Sequence, residues 1–145
     1  MIGLAVLGST GSIGVSTLDV AMRHPERFRV VALSAHRNAE RMAEQCRQVQ
    51  PDYAVMVDSA AAADLRERLK GMSSPPEVLD GAQALKTVAT LPEVDYVMAA
   101  IVGAAGLEST LAAARAGKRL LLANKEALVV AGDIVMRAAS DSGAL

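Results

Sequence analysis

Short apolar runs alternate with segments of helical periodicity along the whole of this chain of 145 residues. The runs predicted to be strands cover residues 2–7, 28–35, 53–57, 77–79, 94–101 and 119–123. They lack a regular polar alternation, which is typical of strands buried on both faces of a parallel sheet. No Asn-Gly turn joins two of them, so helices are the expected connections. The alternation predicts an α/β fold with a doubly wound parallel sheet, in one domain of residues 1–145.

Helical spacing of apolar residues fills the intervals between these strands. The predicted helices cover residues 14–23, 38–50, 59–70, 81–89 and 105–116, and a final helical stretch covers 124–142. Asn38 is expected to cap the second helix, and Asp58 or Ser59 the third, because a side-chain oxygen there can accept from free backbone N–H groups. The side chains expected to face the sheet are Ala39, Met42, Ala43, Cys46 and Val49 in the second helix, and Leu107, Leu111 and Ala114 in the fifth.

The composition excludes several classes of protein. Hydrophobic residues make up 52% of the chain and charged residues 21%, which indicates a core-forming domain rather than a disordered chain. The 15 basic and 16 acidic residues leave a net charge of -1, and only 2% of residues are aromatic, so no nucleic-acid partner is expected. One cysteine and two histidines do not suggest a zinc site. No targeting or membrane-spanning segment is predicted, so a cytoplasmic location is expected.

The first predicted strand runs directly into the loop Gly-Ser-Thr-Gly-Ser-Ile-Gly at residues 8–14. Glycine lets a backbone approach a pyrophosphate closely, and a helix N-terminus offers free N–H groups and the positive end of its dipole. Gly8 and Gly11 therefore favour a dinucleotide-binding loop, and Gly14 would let the following helix pack tightly. The G-x-x-G-x-x-G spacing is a variant of the dinucleotide-binding pattern, and no Gly-Lys-Ser/Thr follows to make a Walker loop. The alternative is a tight turn with only a structural role.

The end of the second strand bears on the choice of nucleotide. In NAD-preferring folds of this class, an acidic residue there holds the ribose hydroxyls. Here the chain reads Ser-Ala-His-Arg-Asn at residues 34–38, and the first carboxylate is Glu40, inside the predicted helix. Arg37 offers a planar cationic fork suited to a phosphate, which indicates NADP(H). The alternative is that Arg37 is a solvated arginine in a loop.

Two further segments follow predicted strands at the same edge of the sheet. Asn124, Lys125 and Glu126 follow the last strand, and local chemistry alone favours a capping Asn, a Glu in the first helical turn and a solvated Lys. Gly-Ala-Ala-Gly at residues 103–106 follows the preceding strand, and its small residues indicate either a nearby cofactor or a tight strand-to-helix turn. Both segments are candidates for ligand binding, because doubly wound folds bind ligands at the carboxyl ends of their strands.

Several motifs, in order along the chain, resemble the N-terminal domain of the 1-deoxy-D-xylulose 5-phosphate reductoisomerase family. They are GSTGSIG at residues 8–14, LDV at 18–20, FRVVALSA at 28–35, MAAIVGAAGL at 98–107 and LLLANKEALV at 120–129. The pair formed by GSTGSIG and ANKE is highly specific. The resemblance implies a Rossmann-like NADPH-binding domain, in an enzyme that rearranges 1-deoxy-D-xylulose 5-phosphate and reduces the resulting aldehyde. The product would be 2-C-methyl-D-erythritol 4-phosphate, in the non-mevalonate route to isoprenoids.

The resemblance also assigns site residues, position by position. Beside Gly8 of the glycine loop, it implies pyrophosphate-side contacts by Thr10, Gly11, Ser12 and Ile13. It implies contacts to the adenosine phosphate by Arg37 and Asn38, further NADPH contacts by Asn124 and Glu126, and a substrate contact by Lys125.

His36 is where the chain departs from the family motif, which often reads Gly-Lys-Asn at the positions of His36, Arg37 and Asn38. Arginine in place of lysine keeps the charge. Histidine in place of glycine adds a side chain, so His36 is expected to contribute its backbone or to stack on adenine.

The resemblance further implies that the chain is the NADPH-binding piece of a much longer enzyme. Full-length members hold a divalent cation (Mn, Mg or Co) through an Asp-Ser-Glu motif that would follow Leu145. They also have a C-terminal helical domain and are expected to form homodimers. Residues 141–143 read Asp-Ser-Gly and are not that motif. Residues 1–145 are therefore expected to hold no catalytic or metal-binding residue, and to bind NADPH without turnover. The phosphorylated sugar would be a partner of the full-length enzyme.

Two other functions stay open. One is the NADP-binding domain of another two-domain oxidoreductase. The presence of both GSTGSIG and ANKE argues against this alternative. The other is a nucleotide-sensing module that only binds and regulates. A titration with NADPH, NADH and ATP would discriminate among them.

Overall fold

The structure is a computed structural model, and it describes residues 1–101 and 104–122. Within these residues, strands and helices alternate. The strands are β1 (Ile2–Leu7), β2 (Phe28–Ala35), β3 (Tyr53–Met56), β4 (Glu77–Asp80), β5 (Tyr96–Ala99) and β6 (Arg119–Leu122). The helices are α1 (Ser12–Arg23), α2 (Ala39–Val49), α3 (Ser59–Arg68), α4 (Ala82–Ala89) and α5 (Ala104–Arg115).

The strands form a parallel sheet in the order β4-β3-β2-β1-β5-β6. The chain builds outward from β1 to β4, and then returns to the other side of β1 for β5 and β6. This confirms the predicted doubly wound parallel sheet. The reversal of direction beside β1 places a crevice at the carboxyl ends of the strands, which is where such folds bind ligands.

The core consists of two apolar clusters, one on each face of the sheet. Helices α1, α2 and α3 bury their apolar sides in the first cluster, and α4 and α5 contribute to the second. Successive side chains of a strand point to opposite faces, so Val6 of β1 lies in the first cluster and Leu7 in the second. Burial on both faces explains why the central strands β1 and β2 read as continuous apolar runs.

β1 and β2 have the predicted bounds, whereas β5 is shorter than its apolar run. The run covers residues 94–101, but pairing with β1 is confined to Tyr96–Ala99. Val94 lies in the turn before the strand, where its N–H donates to the Leu91 carbonyl at 3.0 Å, and its side chain is still buried. An apolar run therefore predicts burial, but it does not give the bounds of the strand.

The predicted caps of α2 and α3 are confirmed. The Asn38 side chain accepts a hydrogen bond from the Arg41 N–H at 3.1 Å. The Asp58 side chain accepts from the Ala61 N–H at 2.9 Å, so Asp58 rather than Ser59 caps α3. Each side chain satisfies one of the N–H groups that have no acceptor within the first turn of a helix.

The buried faces of two helices differ from the prediction. In α2, Gln45 is buried beside the expected apolar residues, and Val49 is half-buried but packs against the first cluster as predicted. In α5, Leu107 and Leu111 are also half-buried, and within residues 106–115 the buried ones are Gly106, Ser109, Thr110, Ala113 and Ala114. Small side chains let α5 pack closely, and the Ser109 and Thr110 hydroxyls are satisfied by donating to the Gly106 carbonyl at 3.0 and 2.7 Å. The predicted final helix at 124–142 lies outside the described residues.

Candidate functional site

The loops that follow β1 and β2 lie side by side at the carboxyl edge of the sheet. The two strands are parallel neighbours, and Leu7 pairs with Ser34 near their ends. The glycine loop follows Leu7, and the segment from His36 to Asn38 follows β2. The structure therefore brings together the two described groups of predicted cofactor-binding residues. The glycine loop also lies beside β5, at the reversal in strand order.

Gly8 is required by the fold itself. Its φ angle is +86°, in the region that side chains with a Cβ rarely adopt. A Cβ built at this position would also lie 2.9 Å from the carbonyl oxygen of Ala100, just after β5. Gly8 thus lets the chain turn sharply out of β1 beside the end of β5.

Gly14 is required for packing, in agreement with its predicted role. It is buried in the first turn of α1, which begins at Ser12 rather than at residue 14. A Cβ on Gly14 would lie 2.5 Å from the Cα of Ser9, and it would also overlap the carbonyl oxygen of Gly8. The helix therefore packs directly on the loop that precedes it.

Gly11 differs from the other two glycines because the fold does not require it. Its backbone is extended, with φ -77° and ψ 170°, which any residue can adopt. The nearest atom to a Cβ built there is the Gly8 carbonyl oxygen, at 3.7 Å, an ordinary contact distance. The residue is exposed. The loop thus presents bare, accessible backbone at a position where the protein has room for a side chain.

The N-terminus of α1 opens onto this bare backbone. Gly11 is the N-cap and provides no side-chain hydrogen bond, and the first turn contains no acidic residue. The first N–H groups of a helix have no internal acceptor and lie at the positive end of its dipole. Ser12 and Ile13, in this first turn, are both exposed, and Ile13 retains 45% of its accessible surface. The arrangement suits an anion with an apolar group beside it.

A buried polar network holds the base of the loop. The Gly8 N–H lies 3.0 Å from the Ser34 hydroxyl oxygen, and the Ser9 N–H donates to the Ser34 carbonyl at 2.8 Å. The Ser9 hydroxyl donates to Oε1 of Gln45 at 2.8 Å, and Nε2 of Gln45 donates to the Ser9 carbonyl at 2.8 Å. Ser9, Ser34 and Gln45 are all buried.

Sequence reasoning missed Ser9, Ser34 and Gln45 as residues of the site. One signal was available for Gln45. It stands three positions after Met42 and directly before Cys46, on the side of α2 that the apolar pattern turns toward the sheet. A polar residue at such a position must find a hydrogen-bond partner when the helix packs.

The segment after β2 presents an exposed arginine. His36, Arg37 and Asn38 are all exposed, and the His36 carbonyl accepts from the Asp58 N–H at 3.0 Å. The Nε of Arg37 lies 3.5 Å from Nδ1 of His36. Among the described residues, no carboxylate forms an ion pair with Arg37. The Oδ1 atom of Asn38 is engaged in capping α2. The guanidinium group is thus available to an anionic ligand.

A metal site does not form in the part of the chain that the structure describes. No group of three or more His, Cys, Asp or Glu side chains comes together within residues 1–101 and 104–122. The thiol of Cys46 is fully buried, and this burial raises its pKa to about 12, partly opposed by the charge of Arg47. Cys46 packs as a small hydrophobic residue, as predicted.

Other predicted positions at this edge are only partly described. Asn124, Glu126 and Lys125 lie outside the described residues, as does Gly103. A Cβ on Gly106 would overlap the carbonyl oxygen of Ile101, so this glycine favours the tight strand-to-helix turn. Within the described ranges, no helix is long and apolar enough to cross a membrane.

The chain matches the family model described as 1-deoxy-D-xylulose 5-phosphate reductoisomerase over residues 4–132. Curated relatives of that name include a protein of Nitrosococcus oceani, 60% identical over 144 residues, and one of Methylococcus capsulatus, 62% identical over 145 residues. Each alignment covers 99% of this chain and 37% of the relative. The chain thus spans little more than a third of the length of these proteins.

Solved structures agree with the sequence relatives. The 1-deoxy-D-xylulose 5-phosphate reductoisomerase of Zymomonas mobilis, in complex with NADPH, superposes with a TM-score of 0.92 and 44% identity. That superposition covers 99% of this chain and 37% of the other. The biliverdin reductase of Synechocystis, at 20% identity and a TM-score of 0.67, shares the fold alone. The family model, the sequence identity and the superposition together place this chain in the 1-deoxy-D-xylulose 5-phosphate reductoisomerase family.

Proposed function

We propose that this chain is the NADPH-binding domain of a 1-deoxy-D-xylulose 5-phosphate reductoisomerase. The observation that carries the proposal is the absence of a side chain at Gly11. The fold has room for a side chain at this position, whereas a pyrophosphate can approach the loop backbone only if the side chain is absent. The relative from Zymomonas mobilis was solved in complex with NADPH and shares this fold at 44% identity. NADPH, when bound, would supply a hydride to the substrate.

The described residues suit the two charged parts of NADPH. The backbone N–H groups at the start of α1, with Thr10 and Gly11 before them, would receive the pyrophosphate at the positive end of the helix. The guanidinium of Arg37, which has no ion-pair partner in the described ranges, would receive the 2′-phosphate, with Asn38 beside it. The roles of Asn124 and Glu126 toward NADPH, and of Lys125 toward the substrate, stay predictions.

The whole protein, in this proposal, converts 1-deoxy-D-xylulose 5-phosphate into 2-C-methyl-D-erythritol 4-phosphate with NADPH and a divalent cation. The support is the family of its relatives, of which solved members include complexes with magnesium and with NADPH. The described residues do not offer the cation a site. The cytoplasmic location and the homodimer stay predictions, which fractionation of cells and sedimentation of the full-length enzyme would test.

A titration of the chain with NADPH, NADH and ATP tests the proposal. Saturable binding of NADPH, with weaker binding of the other two nucleotides, is the expected result. Preferential binding of ATP would favour a nucleotide-sensing module instead. No binding of NADPH at any concentration would contradict the proposed function.

Replacement of Arg37 by alanine is expected to remove most of the preference for NADPH over NADH. A charge-assisted contact to the 2′-phosphate is worth about ten- to a hundredfold in affinity, and NADH lacks that phosphate. Fluorescence titrations of both cofactors measure the ratio. Arg23→Ala is the control, because Arg23 is an exposed arginine at the far end of α1, paired with Asp19 at 2.9 Å. A preference that survives Arg37→Ala would assign phosphate recognition to other residues.

The chain by itself is expected to bind NADPH without oxidising it. Hydride transfer needs a substrate fixed against the nicotinamide, and positioning contributes many orders of magnitude to rate. The described residues bring together no metal-binding cluster to fix a phosphorylated sugar. Incubation with NADPH, Mn²⁺ and 1-deoxy-D-xylulose 5-phosphate should leave the NADPH absorbance unchanged. Oxidation proportional to the concentration of the chain would show that residues 1–145 contain catalytic groups.

A further inference from the structure

The Gln45 side chain connects α2 to the glycine loop across 36 positions of sequence. It is 4% exposed and makes a reciprocal pair of hydrogen bonds with Ser9. Its Oε1 accepts from the Ser9 hydroxyl, and its Nε2 donates to the Ser9 carbonyl, both at 2.8 Å. One side chain thus holds both the hydroxyl and the main chain of a single loop residue.

This contact is directional in a way that apolar packing is not. An amide that uses its oxygen and its nitrogen on the same residue fixes the orientation of that residue as well as its distance. Ser9 is also tied to β2 through its N–H, which donates to the Ser34 carbonyl at 2.8 Å. The loop is therefore anchored from two neighbouring elements, directly before the half-buried Thr10 and the exposed backbone of Gly11.

Helix α2 carries the second half of the site at its N-terminus. Asn38 caps α2, and Arg37 directly precedes this cap. Gln45 stands on the same helix, so its bond to Ser9 joins the element that bears Arg37 to the loop that would hold the pyrophosphate. A rigid helix transmits a fixed spacing between its N-terminus and Gln45.

We propose that Gln45 is a positioning residue that sets the spacing between the glycine loop and the 2′-phosphate segment at residues 36–38. This role rests on the proposed NADPH site. Gln45 would keep the glycine loop and the segment at residues 36–38 at the distance that NADPH needs. Preorganised binding groups cost less to order when the ligand arrives. Loss of the Gln45 contact should therefore weaken a ligand that spans both halves more than a ligand that touches one.

The test replaces Gln45 by methionine, which has similar length and no hydrogen-bonding amide. Loss of the two hydrogen bonds to Ser9 is expected to weaken NADPH binding about tenfold. Adenosine 2′-phosphate, which should touch only the segment at residues 36–38, is expected to keep its affinity within about twofold, because that segment stays bonded to α2 and to Asp58, the N-cap of α3. The fluorescence of bound NADPH measures the affinity for NADPH, and competition against that fluorescence measures the affinity for adenosine 2′-phosphate.

Two control variants separate positioning from a general loss of stability. Gln48→Met makes the same chemical change at an exposed position of α2 and should leave both affinities unchanged. Cys46→Ala removes a buried group from α2 without touching Ser9, and it should lower the melting temperature while the ratio of the two affinities stays constant.

Hydrogen exchange gives a readout that needs no nucleotide. The N–H groups of Gly8 and Ser9 should exchange faster in Gln45→Met than in Cys46→Ala. Without Gln45 the loop that carries these N–H groups loses an anchor, so their hydrogen bonds to Ser34 of β2 should open more often. Equal NADPH affinity in Gln45→Met and the unmutated chain would overturn the positioning role of Gln45 and leave the proposed function standing. An equal loss of affinity for NADPH and for adenosine 2′-phosphate would have the same consequence. Failure of the unmutated chain to bind NADPH would instead overturn the proposed function.

Discussion

Replacement of Gly11 by valine is expected to abolish NADPH binding while the fold stays intact. The extended backbone at Gly11 accepts a side chain, and the nearest atom to a new Cβ would be 3.7 Å away. The added methyl groups would instead occupy the space through which a pyrophosphate must reach the loop backbone. We expect a loss of affinity of at least about a hundredfold, because a bulky group cannot be accommodated between the phosphates and the N–H groups that bind them.

Fluorescence titration and circular dichroism together check this expectation. The Gly11→Val variant should show a native far-ultraviolet spectrum and no saturation with NADPH. Ser16→Val introduces the same side chain at an exposed position of α1 and should bind NADPH normally. Normal binding by Gly11→Val would mean that the loop has only a structural role.

Gly14→Ala is expected to destabilise the protein, although alanine normally favours a helix. In an exposed helix interior this change would stabilise by about 1 kcal/mol. At Gly14 the new methyl group would lie 2.5 Å from the Cα of Ser9, which is held in place by bonds to Ser34 and Gln45. Overpacking against backbone that cannot retreat costs about 3 kcal/mol, which exceeds the gain in helix propensity.

Urea unfolding measures the free energy of unfolding of this variant. Gly11→Ala serves as the matched control, because it adds the same methyl group three positions earlier where the structure has room. Its free energy of unfolding should change by no more than about 1 kcal/mol, since glycine is only moderately preferred over alanine at an N-cap. A Gly14→Ala variant more stable than the unmutated protein would show that α1 does not pack on the loop as described.

The alternation of apolar runs and helical segments determined the fold class, because the central strands β1 and β2 are buried along most of their length and the helices between strands bury one apolar side. The caps at Asn38 and Asp58 were predictable for a local reason, since a side-chain oxygen bonds an N–H three residues later. The resemblance in the glycine loop and the ANKE segment was sufficient to predict the family, which the relatives confirm.

The tertiary structure decided which glycine serves which purpose. The sequence predicted the packing role of Gly14 but gave Gly8 and Gly11 the same role, and only the neighbours contributed by β5 and by the loop distinguish those two. Ala100 comes close to Gly8, and Ser9 comes close to Gly14, while a Cβ on Gly11 would make only an ordinary contact with the Gly8 carbonyl oxygen. These neighbours result from strand order and helix packing, which the local pattern does not contain.

The partners of the polar residues were likewise a matter of tertiary structure. The sequence placed Gln45 on the buried side of α2 only by its spacing, and its bonds to Ser9 depend on α2 crossing beside the loop. In the same way, Arg37 was predictable as a cation after β2, but its freedom from ion pairs within the described residues depends on which carboxylates fold nearby. Local chemistry determined the residue types, and the packing of distant elements determined their contacts.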